Sequence, residues 1–129
     1  MQPEVLNRLK QVSARKTLVL THYGRKTGKP YKVTIWFVLH GDKVYLGTAN
    51  VNRNWVRNVQ KTPQVQFSIA GEKFDGTARF ISDRVEHERV MAMVRRKYWV
   101  FWPILTLGRT LAALHLMHDH SGSFEVTVS

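Results

Sequence analysis

The sequence predicts a small β-barrel with peripheral helices, mainly β in content, and three observations predict it. Runs of β-branched, aromatic and alternating residues recur along the chain, separated by short glycine-bearing turn signals at Gly24–Pro30, Gly41-Asp42 and Gly71-Glu72. Few stretches carry helical periodicity. At 129 residues the chain has material for one core, so it is read as a single domain over 1–129.

In order, Val5, Leu6, Leu9 and Val12 follow helical spacing behind Pro3, which predicts an amphipathic helix over about residues 3–14. Thr17 to Tyr23 reads as a strand. The loop Gly24-Arg25-Lys26-Thr27-Gly28-Lys29-Pro30 is the next turn, with two glycines able to take positive φ. From Tyr31 to His40, Val33, Ile35, Phe37 and Leu39 share one face and Lys32, Thr34, Trp36 and Val38 the other. The second face is half apolar, so this strand is expected to be covered on both sides.

Gly41-Asp42 is a two-residue hairpin signal returning into Lys43 to Ala49. Asn54 is expected to cap a short helix holding Trp55, Val56 and Val59, ending before Pro63. Val65, Phe67 and Ile69 alternate with Gln64, Gln66 and Ser68 in a clean amphipathic strand, which Gly71-Glu72 turns into a strand over 73–81. Asp83 and Glu86 have capping-box spacing, and His87, Val90, Met91, Val94 and Tyr98 form one helical stripe behind them. The apolar run Tyr98–Met117 is broken by Pro103, Gly108, Arg109 and His115, and is read as a buried or surface-packing helical segment rather than a membrane span. Gly122 to Ser129 is the last strand.

Charge narrows the function. Twenty Lys and Arg stand against nine Asp and Glu, and between Arg8 and Lys32 there are eight basic residues and no acid. Such a field concentrates anions, whether nucleic acid, acidic lipid or a phosphorylated small molecule. No cysteine is present, which excludes disulfides and thiolate chemistry and fits a cytoplasmic protein. The N-terminal residues show no secretory h-region.

Four constellations are candidates for chemistry. The stretch Thr17–Asn58 carries the first two. Arg25, Lys26, Lys29 and Lys32 with the Thr27 hydroxyl suit a phosphate or carboxylate tail, or else make a solvated hairpin tip. Thr48, Asn50, Asn52, Arg53, Asn54, Trp55 and Asn58 suit a polar ring and its phosphate, or else are loop and cap residues. His115, His118 and His120 near Asp119 have metal-ligand types, yet without cysteine and in an apolar surround they read better as helix-end and surface histidines. Tyr98, Trp99, Phe101 and Trp102, after Arg95-Arg96-Lys97, form either core or a flat wall for an aromatic substrate or membrane interface. No Ser-His-Asp arrangement or carboxylate pair stands out, so no catalytic side chain is assigned; an enzyme of this composition would leave the chemistry to a cofactor.

The run Leu20-Thr21-His22-Tyr23-Gly24-Arg25-Lys26-Thr27-Gly28-Lys29 resembles the T-x-x-GRKSG signature of the deazaflavin-dependent nitroreductase group. These are split-barrel flavin and deazaflavin oxidoreductases related to pyridoxamine-phosphate-oxidase-like proteins. The resemblance continues through Gly47-Thr48-Ala49, Asn54 to Val59 and Thr62-Pro63-Gln64-Val65, and spans residues 17–82. It departs at Tyr31, where the family often has Arg, at Thr34, where it has Pro, and over 50–54, where it has a small-residue glycine loop.

The resemblance implies an FMN-binding split β-barrel that holds coenzyme F420 (a deazaflavin), with FMN as the alternative. Arg25, Lys26, Thr27, Gly28, Lys29 and Lys32 would meet the cofactor's anionic tail; Thr48, Asn50, Arg53, Trp55 and Asn58 would line its ring and phosphate groove. Tyr31, Trp36, Tyr98 and Trp102 are the aromatic candidates for the acceptor substrate. The implied reaction is hydride transfer to a quinone, nitroaromatic or enone. The competing reading is a non-enzymatic carrier of haem, bilin or lipid on the same fold. Expected partners are the cofactor and a small acceptor, a second copy through Trp36 and Val38, and peripherally an anionic membrane. No nucleic acid is expected, because the basic residues coincide with the cofactor loop.

Overall fold

A computed structural model describes residues 2–98 and 121–129. Six strands, β1 (Thr17–Tyr23), β2 (Pro30–His40), β3 (Lys43–Thr48), β4 (Gln64–Ile69), β5 (Glu72–Phe80) and β6 (Gly122–Val128), close into a barrel in the order β1-β2-β3-β6-β5-β4. Every pairing is antiparallel, and β1 with β4 closes the ring through Leu20 opposite Phe67. Closure leaves no free sheet edge along the paired stretches. The expected mainly β barrel with peripheral helices is what forms.

Among the described residues, helices α1 (Pro3–Val12), α2 (Asn54–Lys61) and α3 (Arg84–Lys97) surround it. The alternation read from the sequence fills the barrel. Leu18, Leu20, Ile35, Phe37, Val44, Leu46, Val65, Phe67, Phe74 and Val126 form its core, joined by Leu9 of α1 and by Trp55, Val56 and Val59 of α2. Within that core β5 runs so close to β6 that a Cβ at Gly76 would lie 2.6 Å from Val126 Cγ1, so the glycine that weakens the strand by propensity is required by packing. A second cluster lies outside the barrel, where Val38 packs with Ile81, Val90, Val94 and Tyr98, and Trp36 and Tyr45 lean on it. The two-sided cover expected of β2 is therefore supplied by α3. The face proposed to pair with a second copy is largely occupied by the chain's own helix, and Val38 is 7% exposed.

Three local expectations are corrected. The β4–β5 turn is Ala70-Gly71, both at positive φ (51° and 85°), rather than Gly71-Glu72; a two-residue turn of this hand matches strand twist better than it suits alanine. The N-cap of α2 is Arg53, with Asn54 as first helical residue, and no side chain caps that end. Asp83 does cap α3 by accepting from the Val85 N–H, but Glu86 does not complete a box; it bonds Arg79 of β5 instead. The 99–117 part of the apolar run and the histidines at 115, 118 and 120 lie outside the described residues, as does Trp102. No described helix is long and apolar enough to cross a membrane.

Candidate functional site

The basic loop is short, and its backbone is tied at both ends. Tyr23 pairs with Pro30 in the ladder, the Gly24 N–H donates to Lys29 O at 2.9 Å, and the Gly28 N–H donates to Gly24 O at 2.9 Å. Gly28 sits at φ 71°, a conformation that disfavours any side chain. Thr27 turns its hydroxyl inward, accepting from the Lys29 N–H at 3.3 Å, so it shapes the loop.

Helix α2 anchors this loop from below. Asn58 is 6% exposed and stands at the centre of the anchor. Its Oδ1 accepts from the Arg25 N–H at 3.2 Å and from Arg25 Nη1 at 2.8 Å, and its Nδ2 meets His22 Nδ1 at 3.0 Å. Nη1 also donates to Asn54 O, and Lys61 donates to Arg25 O. An amide as donor at Asn58 requires the unprotonated, acceptor form of His22 Nδ1. Burial supports that form, since desolvation holds His22 below its ordinary value of 6.5.

Above the anchor is an open cavity of about 610 Å³ lined by His22, Gly24, Arg25, Lys26, Thr27, Tyr31, Lys32, Val33, Asn54, Trp55 and Asn58. No acidic residue is among them. Lys26, Lys29 and Lys32 are exposed and make no hydrogen bond or ion pair among the described residues. Tyr31 is 48% exposed, stacked on His22 at 5.8 Å, and borders the cavity together with Lys32 despite strand alternation.

A second cavity of about 310 Å³ lies among residues of β2, β3, α2 and α3 and also includes Trp55. Thr34, Ile35, Trp36, Gly47, Thr48, Ala49, Arg53, Trp55, Met91, Val94 and Ser121 line it. Trp55, 5% exposed, is shared by both cavities, so the basic loop and the apolar groove are neighbours. The fit to a deazaflavin is one of chemistry: a cradle of uncompensated lysines suits a polyanionic tail, and a narrow, mainly apolar slot flanked by tryptophans suits a flat ring.

Among the expected site residues, Arg25, Lys26, Thr27 and Lys32 border the first cavity, and Thr48, Arg53 and Trp36 the second. Lys29 borders neither, though it lies in the same loop. Thr48 and Asn50 are engaged with each other: Thr48 Oγ1 donates to Asn50 O at 3.0 Å and accepts from the Asn50 N–H at 3.2 Å. Asn50 Oδ1 then accepts from the Asn52 N–H. That is turn chemistry, setting the path into α2.

Tyr98 is buried to 2% under Trp36, with ring centroids 4.6 Å apart. Its hydroxyl accepts from the Phe37 N–H at 3.4 Å and donates towards Phe37 O, at 3.0 Å, and Lys16 O. It fills the rung next to the last β1–β2 pair, Thr17 opposite Trp36. Lys97 joins it there, donating to Phe37 O at 2.9 Å; burial lowers its amine to about 8.

Residues missed by sequence reasoning include His22, Lys61, His87 and Ser121. A signal existed for two of them. His22 shares strand alternation with Leu18 and Leu20, and His87 sits in the apolar stripe of α3; both are buried.

A closed antiparallel six-stranded barrel with a basic loop beside an aromatic groove defines the split-barrel class of flavin- and deazaflavin-binding proteins. Residues 4–101 match the family described as F420H(2)-dependent quinone reductase, and the chain belongs to that family, a family of redox enzymes. Solved structures agree on the fold. An F420-H2 dependent reductase is 20% identical with a TM-score of 0.59, the match covering 87% of this chain and 94% of that one. An F420 reductase is 14% identical (TM-score 0.66, covering 93% and 92%). An FAD-binding protein from Mesorhizobium loti is 13% identical (TM-score 0.64, covering 100% and 91%).

Proposed function

We propose that the protein binds reduced coenzyme F420, with its anionic tail over the lysines of the 24–32 loop and its ring in the groove beside Trp55, and reduces a small conjugated acceptor such as a quinone. The observation that carries this reading is the adjacency of the two cavities at Trp55, one basic and acid-free, the other mainly apolar.

When bound, the deazaflavin supplies the hydride. The chain's part is binding and orientation. Lys26, Lys29 and Lys32 attract the tail, while Arg25 is held by Asn58 with Nη2 and Nε left unbonded to protein among the described residues. Trp55 would flank the ring, with Met91 and Val94 of α3 lining the same groove. Tyr31 and Trp36 are the aromatic surfaces left for the acceptor; Tyr98 supports Trp36 from beneath.

FMN has a single phosphate and uses less of the lysine cradle, so F420 is the better match to this charge. A thermal-shift panel of F420, FMN, haem and no ligand tests the assignment. At about 100 times its dissociation constant, a ligand binding only the folded state adds roughly 2.7 kcal/mol. F420 should give the largest shift, and a shift with haem alone would replace the reductase reading with a carrier.

A further inference from the structure

Ser121 stands at the groove with its hydroxyl against a buried histidine. His87 of α3 is 2% exposed and lies between two serines: Nδ1 is 2.8 Å from Ser123 Oγ and Nε2 is 3.0 Å from Ser121 Oγ. Ser121 directly precedes β6 and lines the 310 Å³ cavity, whereas Ser123 is wholly buried at 0% exposure.

The partners of Ser123 set the direction of this chain. A neutral imidazole has one donor and one acceptor nitrogen, and a serine hydroxyl has one proton to give. The side chain of Ser123 has His87 as its partner among the described residues, and nothing else. If His87 Nδ1 carried the proton, the Ser123 hydroxyl hydrogen would be buried with no acceptor, which native structures avoid. Ser123 O–H therefore donates to Nδ1, the ring proton sits on Nε2, and Nε2–H donates to Ser121 Oγ. The Ser121 hydrogen is then left to point into the groove, on an oxygen polarised by the donor behind it.

We infer that Ser121, positioned by His87 and Ser123, is a hydrogen-bond donor presented to a carbonyl oxygen of a conjugated ring in the groove. This deepens the proposed function and rests on that reading for the ligand class. Two rings could bring that oxygen, the deazaflavin or the quinone acceptor. In either case charge growing on the oxygen strengthens the bond, which is how a preorganised donor favours reduction.

Two measurements test it. The first needs no cofactor: the ¹⁵N spectrum of the wild-type protein with labelled histidine should show His87 with its proton on Nε2 and an unprotonated Nδ1. A proton on Nδ1 turns the Ser121 hydrogen back towards the ring and overturns the inference, whatever the protein binds.

The second compares Ser121→Ala and Ser121→Thr. If the carbonyl belongs to the acceptor, Ser121→Ala lowers kcat for menadione reduction on the order of 10²-fold with F420 affinity unchanged. If it belongs to the cofactor, F420 affinity itself falls at least tenfold. Ser121→Thr, which keeps the hydroxyl, should recover most of either loss. An alanine variant with wild-type affinity and kcat would refute the donor role and leave the cofactor assignment intact. Failure of the wild type to bind F420 would remove that assignment; the donor role would then be judged on the tautomer and on Ser121→Ala weakening menadione binding, measured by quenching of tryptophan fluorescence.

Discussion

Asn58 holds Arg25 at both ends, its single side-chain oxygen accepting from the arginine backbone N–H at 3.2 Å and from Nη1 at 2.8 Å. The contact joins residues 33 apart in sequence and fixes the basic loop to helix α2. Asn58→Ala should therefore cost about 1–3 kcal/mol, because it leaves His22 and the Arg25 N–H short of partners in a buried place. Chemical denaturation measures that loss, and F420 titration should show weaker binding in the same variant.

His22 gives the anchor a pH dependence. Burial lowers its folded-state value below 6.5, so the unfolded chain takes up the proton first. The stability associated with neutral His22 is fully present above 6.5 and is lost as pH falls below it. Denaturation midpoints between pH 7 and 5 should decline more steeply for wild type than for His22→Gln. Equal slopes would show that Asn58 and His22 are not coupled to folding in this way.

Lysine charge should govern affinity for the tail. Lys26, Lys29 and Lys32 are exposed and unpaired among the described residues. The triple alanine variant should lose on the order of tenfold or more in F420 affinity and show a flatter salt dependence, with folding stability within about 0.5 kcal/mol of wild type. FMN affinity should change less.

Tyr98 should behave as a strut. Its hydroxyl substitutes for a missing ladder rung between Lys16 and Phe37, and burial pushes its ionisation up to about 12. Tyr98→Phe keeps the stack on Trp36 and should cost about 1–3 kcal/mol in stability. F420 affinity and acceptor KM should stay within about twofold; a selective rise in KM would instead make Tyr98 part of the acceptor wall.

The barrel is legible in the sequence because its strands alternate cleanly: Val33, Ile35, Phe37 and Leu39 mark a core face by their spacing alone. The outer cluster is legible for the same reason, since Trp36 and Val38 make the opposite face apolar, although alternation does not say whether a helix or a second copy covers it. Turns and caps are less so. Ala70 adopts positive φ because hairpin register demands it, and Arg53 caps α2 without a side-chain bond; neither residue type announces that role. Long-range polar pairs are not legible at all. Asn58 reads as a groove residue and does line the basic cavity, but its bonds to Arg25 and His22 leave no trace in the sequence, and His87 meets Ser121 and Ser123 from 34 and 36 positions away, a proximity that only barrel closure creates.

The most direct test of the central claim is turnover of reduced F420 with menadione, followed anaerobically by the return of oxidised deazaflavin absorbance. Oxidation should be protein-dependent and saturable, with a KM for F420 that rises with salt and with loss of Lys26, Lys29 and Lys32. Binding of F420 without any protein-dependent oxidation, or no binding at all, would contradict that claim.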